Sequence, residues 1–310
     1  MKWNKLGLVY EPGRNLWWNQ LYAILPTPCY IPERQVIRVF FATTCAERFG
    51  RITYIDVDAT NPTKIVNDPQ QYILDIGTRG AFDDCGVNVS AIVKRGEQML
   101  LYYAGYQRHF RTPYSILSGL ATSTDGHHFE RWARVPVLER NDKELDLRSA
   151  PAVFYEDEMF KMWYVAGMGW ENIEGDVHKN RLMPVYQLKY GESKDGIKWE
   201  IEDKPIFKQE RDEFGFGRPF IFKKEDGTYQ LFYSVRRKTK SYRIGFAESQ
   251  DGKSWIRKDG EVGIDVSESG WDSEMICYPA VIAVEGKTFL FYNGNKNGET
   301  GFGVAELINE

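Results

Sequence analysis

One aromatic-rich segment recurs five times along the 310 residues of this chain, and that repeat constrains the fold more than any other feature. The copies are Val39-Phe-Phe-Ala-Thr43, Leu101-Tyr-Tyr-Ala-Gly105, Met162-Trp-Tyr-Val-Ala166, Leu231-Phe-Tyr-Ser-Val235 and Leu290-Phe-Tyr-Asn-Gly294. Aligned on the second aromatic (Phe41, Tyr103, Tyr164, Tyr233, Tyr292), they are spaced by 62, 61, 69 and 59 residues. Upstream lies a strand such as Ala150-Pro-Ala-Val-Phe154, Arg218-Pro-Phe-Ile-Phe222 or Tyr278-Pro-Ala-Val-Ile282, followed by a polar turn. Downstream lies a third strand ending in Asp125-Gly126, Asp195-Gly196 or Asp251-Gly252. An Asp-Gly pair between apolar alternations marks a hairpin, because the turn needs positive φ. Phe129, Trp199 or Trp255 then opens a fourth strand.

Four antiparallel strands per unit, repeated radially with no helical periodicity, predict an all-β chain and a five-bladed β-propeller, with residues 1–310 forming a single domain. The last copy stops at Gly303-Val-Ala-Glu306, inside its third strand, whereas Lys2-Trp3 to Tyr10 reads like the fourth strand Lys198-Trp199 to Phe207. The N-terminal strand is therefore expected to close the last blade, which hides two sheet edges at once.

A net charge of −4 and a pI near 5.8 argue against a nucleic-acid partner, which needs clustered Lys and Arg. The one cluster, Arg236-Arg237-Lys238 with Lys240, reads as a solvated loop. No apolar leader and no run of about 18 apolar residues occurs, so a soluble, cytoplasmic protein with no membrane partner is expected. Four cysteines without CxxC spacing read as small buried hydrophobes, and four histidines include no HExxH. No cofactor is expected; a structural calcium ion held by carboxylates and carbonyls stays open.

The Ser-x-Asp-Gly hairpins resemble the Asp-box of sialidases, but five units and a turn one residue shorter fit that six-bladed family poorly. The whole-chain architecture, with Trp271-Asp-Ser-Glu-Met-Ile-Cys-Tyr-Pro279, resembles the five-bladed glycoside hydrolase superfamily that includes families 32, 43, 68 and 130. The resemblance implies a pit at the propeller axis, lined from the first strand of each blade, and glycosyl cleavage or transfer by two carboxyl groups across the scissile bond. The corresponding inner segments are Trp18 to Ile31, Phe82 to Val93, Leu145 to Phe154, Phe214 to Phe222 and Trp271 to Ala283.

On those segments Glu274 is the candidate general acid, with Asp84 or Asp83 as the opposing carboxylate. Candidate substrate-binding residues are Arg148, Arg218, Tyr278, Asn88, Asn19, Trp18, Asp146 and Asp272. Trp17, Trp18 and Trp170 read either as sugar-stacking platforms or as packing between blades. Strict alternation would turn Arg148, Arg218, Asp146, Glu274 and Tyr278 toward the axis, and a one-residue bulge would turn any of them away. Families 32, 43 and 68 take an Asp from the first blade, and this chain has no carboxylate there. Arginines on inner strands favour an anionic or phosphorylated sugar. Three functions follow: a glycosidase-like enzyme on a small-molecule or oligosaccharide substrate, a phosphorolytic relative resembling family 130, or a non-catalytic propeller binding an anionic glycan or nucleotide sugar. Longer segments at His109 to Ser118 and Trp170 to Leu188 are expected to form a rim over the pit.

Overall fold

The computed structural model of the chain describes residues 1–13, 15–174, 177–210 and 212–309. The described chain is all-β apart from isolated single helical turns, and it contains no helix long and apolar enough to cross a membrane. A first strand, β1 (Lys2–Tyr10), precedes β2 (Ala23–Ile31), β3 (Val36–Thr44), β4 (Gly50–Asp58) and β5 (Ile65–Asn67). Next come β6 (Gly86–Arg95), β7 (Gln98–Arg108), β8 (Tyr114–Ser123) and β9 (Glu130–Arg131), then β10 (Leu147–Glu156), β11 (Met159–Ile173), β12 (Arg181–Ser193) and β13 (Glu200–Pro205). The chain finishes with β14 (Glu213–Lys223), β15 (Tyr229–Arg237), β16 (Arg243–Ser249) and β17 (Ile256–Arg257), followed by β18 (Cys277–Val284), β19 (Lys287–Asn293) and β20 (Phe302–Asn309).

Antiparallel pairing gathers these strands into arrays of four: β2 to β5, β6 to β9, β10 to β13, β14 to β17, and β18-β19-β20-β1. In the last array β1 runs antiparallel to β20, from Lys2 opposite Asn309 to Tyr10 opposite Phe302, so the chain's first strand covers the edge of its last. Each array's first strand also packs against the next: β2 on β6, β6 on β10, β10 on β14, β14 on β18, and β18 back on β2.

The paired aromatics of the repeat explain this arrangement. Adjacent residues of a strand point to opposite faces, so each pair supplies two different interfaces. Phe40 packs with Val87, Leu101 and Tyr103 of the second array, whereas Phe41 packs with Phe289, Phe291 and Phe302 of the fifth. Tyr102 faces Phe160 and Met162 of the third array. Trp163 faces Leu231 and Tyr233 of the fourth, and Phe232 faces Leu290 and Tyr292 of the fifth.

The Asp-Gly turns lock the same interfaces. In each, a serine Oγ accepts the glycine N–H at 2.9 Å (Ser123, Ser193, Ser249), and the aspartate Oδ1 accepts two further backbone N–H groups. The glycine carbonyl then accepts a side-chain donor from the preceding array. Arg38 Nη1 reaches Gly126 at 3.0 Å, Tyr102 Oη reaches Gly196 at 2.9 Å and Trp163 Nε1 reaches Gly252 at 2.8 Å.

Candidate functional site

The first strands share a defect that shapes their inner ends. Leu25, Ala150, Arg218 and Tyr278 have φ of 61°, 48°, 45° and 54°, and each precedes a proline. The ladder slips one register there, between Ile24 and Thr27, Ser149 and Ala152, Gly217 and Phe220, and Cys277 and Ala280. A residue before proline prefers extended backbone, and a left-handed non-glycine residue costs about 1–3 kcal/mol. Four such bulges at equivalent places mark a site rather than scattered irregularity. Their effect is to aim side chains at a common hollow.

That hollow is a cavity of about 90 Å³ where the first strands converge. Two buried guanidiniums line it, Arg218 at 2% and Arg236 at 1% exposure, together with Asn88, Ser149 and the half-buried Tyr106, Tyr186, Tyr242 and Tyr278. Aliphatic Ile24, Leu25, Ala104, Ile116, Ala150 and Val165 fill the remainder. No carboxylate belongs to the described lining.

Arg218 spans three strands: Nη1 donates to the Pro279 carbonyl at 2.7 Å, and Nη2 donates to the Pro26 carbonyl at 3.2 Å and to Thr27 Oγ1 at 2.6 Å. Arg236 Nη1 donates to the Pro184 carbonyl at 2.5 Å, and its guanidinium lies 4.2 Å from the ring centres of Tyr186 and Phe214. Gly215 leaves room for that stack, since a Cβ there would come within 3.2 Å of Arg236 Nη1 and 3.1 Å of Tyr186 Cβ. Both arginines keep a buried Nε with no hydrogen-bond partner, and neither forms an ion pair among the described residues. Burial without a counter-charge pulls the Arg218 pKa down to about 9, with only Tyr278 opposing. At neutral pH the group is still a cation. Burial raises Tyr242 to about 12 and lifts Tyr106, Tyr186 and Tyr278 above their ordinary value, so all four stay neutral hydroxyl donors.

Of the sequence candidates, Arg218, Tyr278 and Asn88 meet in this cavity. Asp83 is buried and accepts Arg131 Nε at 2.8 Å and Tyr103 Oη at 3.0 Å. Asp84 accepts the Gly80 N–H at 2.8 Å, capping a loop, and receives the Cys85 thiol at 3.3 Å. Arg148 is ion-paired with Glu144 at 2.6 Å. Asp272 accepts Lys5 Nζ at 2.7 Å and Tyr292 Oη at 3.0 Å, and Asp146 accepts the Trp170 indole N–H. Glu274 is exposed, with its backbone N–H bonded to Asn295 and its carbonyl to Arg243. Asn19 bridges Tyr10 and Thr43 at 2.6 and 2.7 Å, and Trp18 is buried edge-on to Tyr72. Among the described residues no group of three or more His, Cys, Asp or Glu could hold a metal ion.

A rule runs through these contacts. Wherever the repeat's second aromatic is tyrosine, its hydroxyl donates to a carboxylate held by a cation: Tyr103 to Asp83 with Arg131, Tyr164 to Glu144 with Arg148 and Lys189, Tyr233 to Asp259 with Arg257, and Tyr292 to Asp272 with Lys5. Phe41 has no hydroxyl, and in that array the neutral Asn19 fills the place.

Reading the Arg236 cluster as a solvated loop requires correction, because Arg236 is fully buried. Arg236 and Tyr106 occupy the same repeat position, three residues after Tyr233 and Tyr103, and that equivalence is the signal that would have found both. Ser149, Tyr186 and Tyr242 carried no such signal. The Trp170 to Leu188 segment continues the β11–β12 hairpin, with residues 175 and 176 outside the described residues. It brings Tyr186 to the cavity and sets Trp170 edge-on to Tyr114, with ring centres 5.1 Å apart.

The sequence matches no known family profile. It is 34% identical to the uncharacterized protein Rv1502 of Mycobacterium tuberculosis over 310 residues, spanning the full length of both proteins. The fold is similar to that of a protein described as a glycoside hydrolase (TM-score 0.71, 18% identity, covering 98% of this protein and 90% of that one). It is also similar to a structure described with the GH130 family of mannoside phosphorylases and its glycoside hydrolases that target beta-1,2 mannosidic linkages in Candida mannan (TM-score 0.72, 14% identity, 98% and 93%). A thermostable family-43 glycoside hydrolase aligns at TM-score 0.66 with 16% identity, covering 96% and 93%. The protein thus has the fold of glycosidase-like propeller proteins, and by full-length identity it belongs to the family of Mycobacterium tuberculosis Rv1502.

Proposed function

We propose that this chain is a carbohydrate-binding five-bladed propeller, a single domain over residues 1–310 closed by β1, whose axial cavity receives the anionic group of a sugar. The cycle of contacts between first strands and the pairing of β1 with β20 support the five-fold closure. One observation carries the function: Arg218 and Arg236 are buried cations with unpartnered Nε atoms in a cavity whose described lining holds no carboxylate. A buried charge without a partner is costly, and a carboxylate or phosphate would relieve it. A cavity of about 90 Å³ has room for that one group, with the sugar ring against the tyrosines at its mouth.

The test is calorimetric titration with glucuronate, N-acetylneuraminate, glucose 1-phosphate and glucose. The charged sugars should bind, glucose should not, and Arg236→Gln should weaken binding about 10- to 100-fold, the worth of a charge-assisted hydrogen bond. Equal binding of glucose, or no binding of any acid, contradicts the reading.

The glycoside hydrolases and mannoside phosphorylases named among the fold neighbours favour a second reading, glycosyl cleavage or transfer. In it Glu274, four residues ahead of Tyr278, acts as acid, and Asp84, four residues ahead of Asn88, or its neighbour Asp83, lies opposite. Turnover of an aryl-glycoside panel that Glu274→Gln abolishes while binding persists would support it. Absence of turnover alongside measurable binding leaves the first reading.

A further inference from the structure

A second hollow, of about 410 Å³, is lined by Gln20, Leu21, Tyr22, Arg48 and Glu299. It adjoins the axial cavity through one stretch of chain, since Gln20 to Tyr22 line one and Ile24 and Leu25 line the other. A chain advances at most about 3.4 Å per residue, so Tyr22 and Ile24 lie within about 7 Å, roughly the length of one pyranose unit. Gly298, next to Glu299, packs so tightly on Ile24 that a Cβ would come 2.7 Å from Ile24 Cγ2. Ile24, which lines the axial cavity, thus packs directly on the segment that brings Glu299 to the second hollow.

The walls are held in place while three of their polar ends are left unpaired. Backbone N–H groups of Gln20 and Leu21 both donate to the Thr44 carbonyl, at 2.9 and 3.2 Å. Arg108 Nη2 donates to the carbonyls of Glu47 and Arg48, at 2.9 and 3.1 Å. The Gln20 amide, Tyr22 hydroxyl and Arg48 guanidinium have no hydrogen-bond or ion-pair partner among the described residues. Arg48 brings one cation and Glu299 one carboxylate to the lining, and the carboxylate is ion-paired with Lys296 at 3.7 Å. Planar amide, guanidinium and carboxylate groups pair with neighbouring hydroxyls, and Leu21 and Tyr22 offer an apolar surface to a ring face.

We propose that this hollow is a second sugar subsite, taking a neutral unit linked to the anionic unit seated at the axis, so the ligand is an oligosaccharide of at least two residues charged at its axial end. The proposal rests on the axial reading above. Its test compares glucuronate, galacturonate and N-acetylneuraminate, each as the free acid and as its disaccharide with a neutral hexose, by calorimetry on the wild type and on a Gln20→Ala/Tyr22→Phe double variant. For at least one acid the disaccharide should bind about tenfold tighter than the free acid, the worth of one or two net hydrogen bonds. The double variant should cut that gain to about twofold while the free acid binds unchanged and the melting temperature holds. If every acid that binds does so no more weakly than its disaccharide, with binding still lost in Arg236→Gln, the subsite is overturned and the axial reading stays intact. A gain that survives the double variant also overturns it. If no acid and no disaccharide binds, both fall together.

Discussion

Asp83 and Asp272 are carboxylates on inner segments, the positions where a glycosidase would hold its acids, and both are already occupied. Each accepts a tyrosine hydroxyl and a cation, as Glu144 and Asp259 do in the other arrays. Removing the cation should therefore destabilise rather than merely inactivate. Arg131→Leu leaves Asp83 buried and unpaired and should cost about 3–5 kcal/mol, read from urea unfolding midpoints, whereas Tyr103→Phe should cost about 2 kcal/mol. In the proposed site Arg218 should set the pH dependence of ligand binding. Its pKa lies near 9 in the free cavity, and a bound anion raises it. Affinity should thus be flat from about pH 6 to 8 and fall as pH rises through about 9. A calorimetric pH series checks this; affinity rising above pH 9 would contradict the role of Arg218. The sequence offered Arg218, Tyr278 and Asn88 because they lie on inner strands. It hid Arg236 inside a run of cations, where charge density outweighed the repeat position that places it at the end of β15.

At the scale of elements, the strands, their turns and the fourth strand supplied by the N-terminus were legible because each depends on local patterning. What alternation could not supply was the direction of the inner side chains. The bulges at Leu25, Ala150, Arg218 and Tyr278 break period two at the cavity, keeping Arg218 and Tyr278 in the lining while Arg148 pairs with Glu144. The Asp-Gly turns carry their own pH signature. His128 and backbone N–H groups hold Asp125 below the usual carboxylate range, and backbone N–H groups hold Asp195 and Asp251 there. A carboxylate depressed in the folded state contributes stability that is present above its unfolded pKa, near 4, and is lost as pH falls toward the folded value. Urea midpoints should decline below about pH 4. Asp251→Asn, which keeps an accepting oxygen in the turn, should flatten part of that decline; an unchanged slope would show the turn aspartates are not its source.

Over the whole molecule, the proposed closure depends on β1. Its buried Trp3, Val9 and Tyr10 contribute about 1.5–3 kcal/mol each, before the ladder to β20 is counted. That sum approaches the 5–15 kcal/mol typical of a whole domain's stability. Deleting residues 1–10 should therefore yield an aggregating or unfolded chain, and a synthetic peptide of the same ten residues should restore part of the melting temperature. A deleted chain as stable as the parent would rule out the closure proposed for β1.

A crystal structure of the protein with an acidic monosaccharide such as glucuronate tests the axial site most directly. The carboxylate should lie in the axial cavity, within hydrogen-bond reach of both Arg218 Nε and Arg236 Nε, with the ring against the tyrosines at the mouth. A ligand bound elsewhere, or one whose carboxylate points away from both arginines, would contradict that assignment.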